Sequence, residues 1–236
     1  MPLSSKLFFD CEVTTSGKDD TPKSASKTNP RGVTTNFTTS SGKGGTSKGF
    51  TSSISNVKAG VSGYEFNTTS GYNLSSTYTR TNATAWGFAI CWSNNSDYSD
   101  KYILDGGTNG NHMRFVDAST LEFRGGGSKG AATSLALNNT NNSTTSYTLT
   151  SDVECLVVQV SSGAVVKIWN IDGDLIFNSS SAVSGAVASF VVESLFHDNT
   201  FTKSPPFLLH NFLSWEGSES DANLSTFAAA FAVYKD

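Results

Sequence analysis

The sequence predicts an all-β domain, a sandwich or a barrel, with one short helix at its C-terminal end. Three observations predict it. From residue 60 onward, short runs rich in Val, Ile, Phe, Tyr and Trp recur between clusters of Asn, Gly, Asp and Ser, the pattern of strands separated by turns. Helical periodicity is confined to the last stretch of the chain. No repeat of fixed period is present, which excludes solenoids and propellers. The 236 residues can bury a full core, and residues 1–236 are read as one domain.

In chain order, "KLFFDCEVT" at about 6–14 is the first expected strand. Residues 15 to about 50 are rich in Ser, Thr, Gly and Lys with almost no large apolar residue. They are expected to form an extended arm or loop that a neighbour must hold, since such a segment cannot offset its own ordering entropy. The following strands are "GYEFN", "AWGFAICW", "KYILDG", "HMRFVD", "TLEFRG", "VECLVVQV", "VVKIWN", "DLIFN", "ASFVVESLF" and "FLLHNFLSW". In "SESDANLSTFAAAFAVYKD", Leu224, Phe227, Ala228 and Phe231 fall on one helical face, with Ser220 or Ser218 available as N-cap.

Between two of these strands lies "NIDGDL". Asn170, Asp172 and Asp174 have the spacing that opens a calcium loop, but Leu175 stands where a glycine is required and no Glu closes it. Asp172-Gly173 is instead expected to form a type I′ hairpin turn, in which both central residues take positive φ.

Composition narrows the function classes. Residues 1–50 carry 7 Lys/Arg against 4 Asp/Glu, and the remainder 9 against 16. No strongly basic surface for nucleic acid is expected. The apolar runs are far shorter than the ~20 residues of a membrane span, and "MPLSSKLFFDCEV" lacks the core of a signal peptide. Cys11, Cys91 and Cys155 lie in apolar runs without zinc-ligand spacing, so buried reduced thiols are expected. A polar, sparingly charged surface without an export signal suits a virion component made in the host cytoplasm and released by lysis.

Four segments resemble the concanavalin A-like lectin/glucanase superfamily, in its laminin-G-like form: "GYEFNTTSGYNLS", the hairpin pair within residues 86–126, "VECLVVQVSSGAVVKIWNIDGDLIFN" and "FLLHNFLSWEGSESDANLSTFAAAFAVY". The resemblance implies an antiparallel β-sandwich of jelly-roll topology in which the first strand lies beside the last. Many relatives place a Trp before the "VVQV" strand, where this chain has Val153 and Glu154. Such domains occur in phage structural proteins, and the superfamily includes glycanases, lyases and non-enzymatic binders.

Catalysis is not expected. Glycanases need paired carboxylates facing one sugar. Glu216, Glu219 and Asp221 form the one carboxylate cluster, but residues 216 and 219 differ in strand parity, and the group precedes the helix, where acids favour the N-terminus. His112, His197 and His210 are far apart, with no nucleophile in an elbow context.

Binding surfaces remain. If "HMRFVD" pairs with "TLEFR", alternation puts His112, Arg114, Glu122 and Arg124 on one wet face, although a charge-balanced strand surface would show the same pattern. Lys167 and Trp169 share a face, where an exposed Trp would stack on sugar and a buried one would only pack. Asp97, Asp100, Asp105 and Asn109 supply oxygen atoms that would suit calcium, the one ion the sequence suggests, or would simply solvate a polar loop. The expectation is a non-enzymatic virion structural protein: a capsid decoration, fibre or adhesion module on the virion surface. Its partners would be other virion proteins docked through the arm, in a homo- or hetero-oligomeric assembly, and a host surface glycan. A carbohydrate-binding lectin-like module is the alternative.

Overall fold

A computed structural model describes residues 26–28, 34–36, 45–48, 64–65, 71–80, 84–107, 110–125, 132–137, 146–183, 190–198 and 202–235. Among the described residues, fifteen strands run in chain order. The first five are β1 (Ser26–Thr28), β2 (Thr34–Asn36), β3 (Gly45–Lys48), β4 (Tyr64–Glu65) and β5 (Gly71–Arg80). The next five are β6 (Trp86–Ser93), β7 (Lys101–Asp105), β8 (His112–Asp117), β9 (Thr120–Arg124) and β10 (Ala132–Ala136). The last five are β11 (Glu154–Val160), β12 (Val166–Trp169), β13 (Leu175–Asn178), β14 (Phe190–Leu195) and β15 (Leu208–Glu216). Helix α1 (Asp221–Ala229) and a 3-10 helix (Ala230–Lys235) end the chain.

Two antiparallel sheets make a sandwich. One has the order β10-β9-β8-β7-β14-β5-β3 and the other β13-β12-β11-β6-β15-β4. Their inner faces enclose an apolar core that includes Phe88, Ile90 and Trp92 of β6, Met113 and Phe115 of β8, and Leu156 and Val158 of β11. Aromatic rings mesh across it, with Trp86 and Phe190 centroids 5.5 Å apart and Trp92 and Phe115 also 5.5 Å apart.

The central strands β6 and β11 of the six-stranded sheet are buried on both faces. Ala89, Cys91, Cys155, Val157, Trp169 and Trp215 point away from the main core into a second cluster, closed by Leu224, Phe227, Ala228 and Phe231. That is why β6 and β11 read as continuous apolar runs, as strands covered on both sides do. Gly87 leaves room for the cover, because a Cβ there would lie 2.3 Å from the Trp215 ring. Ser220 caps α1, its side chain accepting from the Asn223 amide at 3.2 Å. Cys91 and Cys155 are buried, form no disulfide, and lie opposite one another across β6 and β11.

The 6–14 strand, and its pairing with the last strand, lie outside the described residues, as does Cys11. β15 pairs with β6 and, through Leu208 and Leu209, with β4. Within the stretch from 15 to 50, expected as an extended arm or loop, β1 and β2 form a two-stranded sheet and β3 joins the edge of the larger sheet through β5. β10 went unforeseen because "ATSLA" offers a single large apolar side chain.

The hairpin after Trp169 forms, but not as type I′. Only Gly173 has a positive φ, 84°. The Asn170 amide donates to the Asp174 carbonyl, and the Gly173 amide to the Asn170 carbonyl, each at 3.0 Å. The result is a three-residue loop with glycine at the left-handed position. Asn170 Oδ1 selects it by accepting from the amides of Asp172 (3.1 Å) and Asp174 (2.8 Å).

Candidate functional site

The outer face of the seven-stranded sheet has a different character, because alternation in β8 and β9 buries one side and wets the other. The strands are linked by a turn that Asp117 Oδ1 fixes, accepting from the Ser119 amide at 2.7 Å. Cross-strand register sets His112 opposite Arg124 and Arg114 opposite Glu122. The four residues foreseen on one face are therefore brought together. Glu122 Oε1 accepts from His112 Nε2 at 2.7 Å and from Arg114 Nε at 2.9 Å.

Three further residues complete the group. Asp100 pairs with Arg114 and with Lys203. Tyr102 lies across β7 from Arg114, its ring centroid 5.2 Å from the His112 ring, with the Arg114 guanidinium carbon and Lys203 Nζ each 5.8 Å away. Lys203 is placed by backbone, since the Tyr102 amide donates to its carbonyl at 3.0 Å. Asp198 Oδ1 orders the same segment by accepting from the amides of Thr202 (2.7 Å) and Lys203 (3.1 Å).

Protonation follows from this packing. Burial holds the His112 ring below its ordinary pKa despite Glu122, so the neutral ring donates its Nε2 proton to a carboxylate that can only accept. Burial opposes the charge on Glu122, but the hydrogen bonds from His112 and Arg114 outweigh it and lower its pKa. Burial, reinforced by Asp105 and Asp198, pushes the Tyr102 phenol up to about 12. Asp105 faces His112 across β7 and β8, and burial raises its carboxyl to about 6, with Asp198 and Glu193 adding to the shift and the Gly107 amide opposing it. The face thus presents ordered donors and acceptors around an aromatic ring, with Asp100 and Lys203 at its exposed rim. This arrangement suits recognition.

The other sequence candidates are not part of it. Lys167 and Trp169 do share a face, but α1 covers it. Trp169 is 2% exposed beneath the helix, so it has no open ring for a sugar, and Lys167 Nζ pairs with Asp221 at 2.6 Å. The proposed calcium oxygens are dispersed. Asp97 pairs with Lys101 at 3.0 Å and accepts from the Ser99 amide, while Asp100 is held by two cations. Asp105 lies on the sheet face, and Asn109 is outside the described residues. Among the described residues no three His, Cys, Asp or Glu side chains gather as metal ligands. Glu219 and Asp221 serve the helix start. Glu219 accepts from Asn223 Nδ2 at 3.1 Å, and its backbone is clamped by Gln159.

Tyr102 had one legible signal, its place in "KYILDG", but a bulge at Ile103 sets Tyr102 and Asp105 on the same side, which strict alternation forbids. Lys203 had none.

No protein-family model and no curated protein matches the chain. Among solved structures, the binding domain of Paraclostridial Mosquitocidal Protein 1 is similar over 98% of this chain, with TM-score 0.59 and 10% identity. The binding domain of botulinum neurotoxin serotype D/C VPI 5993 is similar over the same share, with TM-score 0.57 and 8% identity. A botulinum neurotoxin DC binding domain in complex with rat synaptotagmin II is similar over 81%, with TM-score 0.52 and 8% identity. The chain spans about half the length of each, 53%, 53% and 48%. At such identities the likeness establishes the β-sandwich fold.

Proposed function

We propose that this chain is a non-enzymatic binding module and that the Tyr102 face is its contact surface. The observation that carries the reading is the shared acceptor Glu122 Oε1, which fixes His112 and Arg114 beside the Tyr102 ring before any ligand arrives. Preordered side chains of this kind lower the entropy cost of binding. The sandwich is shared with the binding domains of Paraclostridial Mosquitocidal Protein 1 and of a botulinum neurotoxin, which supports recognition over catalysis.

The setting we propose is a phage particle, where the module serves as a surface decoration, fibre or adhesion domain and takes a host surface glycan. Its polar, sparingly charged composition supports that setting. The glycan reading is favoured by the Tyr102 ring flanked by Arg114, Lys203 and Asp100, an aromatic platform with hydrogen-bonding neighbours. The 15–50 stretch remains the proposed docking element toward other virion proteins. A glycan microarray probed with the labelled chain and with Tyr102→Ala tests the reading. Retention of a defined glycan set by the wild type alone is expected, and equal retention by both proteins would refute the assignment of this face.

A further inference from the structure

A cleft of about 360 Å3 opens between the 147–154 segment, the β12–β13 turn and Lys235, within the size range of small-ligand pockets. It involves none of the residues around Tyr102, so its chemistry is independent of the function proposed for that face. Glu154 lines the cleft at 4% exposure. Its Oε1 accepts from the Thr150 amide at 2.8 Å and the Thr150 hydroxyl at 2.9 Å, and its Oε2 accepts from the Tyr147 hydroxyl at 2.5 Å. A carboxylate offers about four acceptor positions, and one on Oε2 remains. Tyr147 spends its proton on Glu154 and keeps its own oxygen lone pairs for a donor.

The charges in the cleft do not balance. Among the described residues, Asp152, Glu154 and Asp172 line it with a single cation, Lys235, whose Nζ sits 2.6 Å from Asp172 Oδ1. One ammonium already occupies the cleft, and among the described residues Asp152 and Glu154 have no cation of their own. The half-buried Tyr147 ring packs against the main core.

We propose that this cleft binds the ammonium group of a small amine-bearing ligand, with Glu154 and Asp152 as its counter-charges and Tyr147 Oη as an added acceptor. Two sources share that chemistry, an amino sugar and a polyamine.

The experiment is an NMR titration of the 15N-labelled full chain with glucosamine, cadaverine, glucose and calcium chloride, followed at the amides of Thr150, Glu154 and Asp172. Saturable shifts with either amine, and none with glucose, are expected at millimolar affinity. Tighter glucosamine assigns an amino sugar, and tighter cadaverine a polyamine. Glu154→Gln is expected to weaken amine binding by about tenfold or more, as for a buried charge partner. The exposed Asp152→Asn should weaken it by roughly two- to fivefold, and it carries the test if Glu154→Gln does not fold. Equal shifts from glucose, the same shifts from calcium, no shift from either amine, or unchanged amine affinity in Asp152→Asn would each overturn the proposal.

Discussion

Ser225 of helix α1 donates its hydroxyl to the Gly173 carbonyl at 2.6 Å, so the β12–β13 turn and the helix that covers the sheet hold one another. A Cβ on Gly173 would meet the Ser225 carbonyl oxygen at 2.7 Å, and the residue has a φ of 84°. Gly173→Ala is therefore expected to destabilise the fold by about 1–3 kcal/mol, and Ser225→Ala by about 1 kcal/mol. Equilibrium urea unfolding measures both. An unchanged midpoint for Gly173→Ala would mean that turn and helix are not locked together.

The helix makes the outer side of the six-stranded sheet a second core. Trp169→Ala should cost about 3–5 kcal/mol of stability through packing lost from the buried cluster that also holds Trp215 and Phe227. Trp169→Phe, which keeps most of the ring volume, should leave ligand binding at the Tyr102 face unaltered. The check is unfolding for the first variant and glycan retention for the second. Loss of retention in a well-folded Trp169→Phe would return Trp169 to the binding surface.

Asp105 gives a signed pH dependence. Its folded pKa, about 6, lies above its ordinary value of 3.8, so between those values the native state holds more protons than the unfolded chain. Stability from this group therefore falls as pH rises from about 4 to about 6, by a total on the order of 2–3 kcal/mol. Glu122 acts oppositely, because its lowered pKa stabilises the fold above the ordinary carboxylate range and loses that contribution as pH falls. Comparing wild type with Asp105→Asn isolates the first effect. The difference in unfolding free energy should grow in favour of Asp105→Asn between pH 4 and pH 6, and a flat difference would show that Asp105 titrates normally.

The sequence displayed this architecture unevenly. β8 and β9 were legible because His112, Arg114, Glu122 and Arg124 alternate with Met113, Phe115, Leu121 and Phe123, a local pattern that only a half-wet strand pair satisfies. The helix face of Leu224, Phe227, Ala228 and Phe231 was legible for the same reason. What that helix covers was not, since the cluster that holds Trp169 together with Phe227 and Phe231 gathers residues far apart in sequence. Alternation placed Trp169 on the correct side of β12, and nothing local showed that the side was occupied. The Tyr102 network was half visible. Its β8–β9 portion follows from pairing, while Asp100, Tyr102 and Lys203 enter through a bulge and a loop whose positions depend on the assembled sheet.

Calorimetric titration of wild type and Tyr102→Ala with a glycan retained on the array tests most directly whether the Tyr102 face binds ligand. An aromatic anchor at the centre of a contact contributes about 2 kcal/mol or more, roughly thirtyfold in affinity. Binding by the wild type and at least that loss in Tyr102→Ala, with unfolding curves that match, is the predicted result. Equal affinity of the two proteins, or no glycan bound by the wild type, would contradict it.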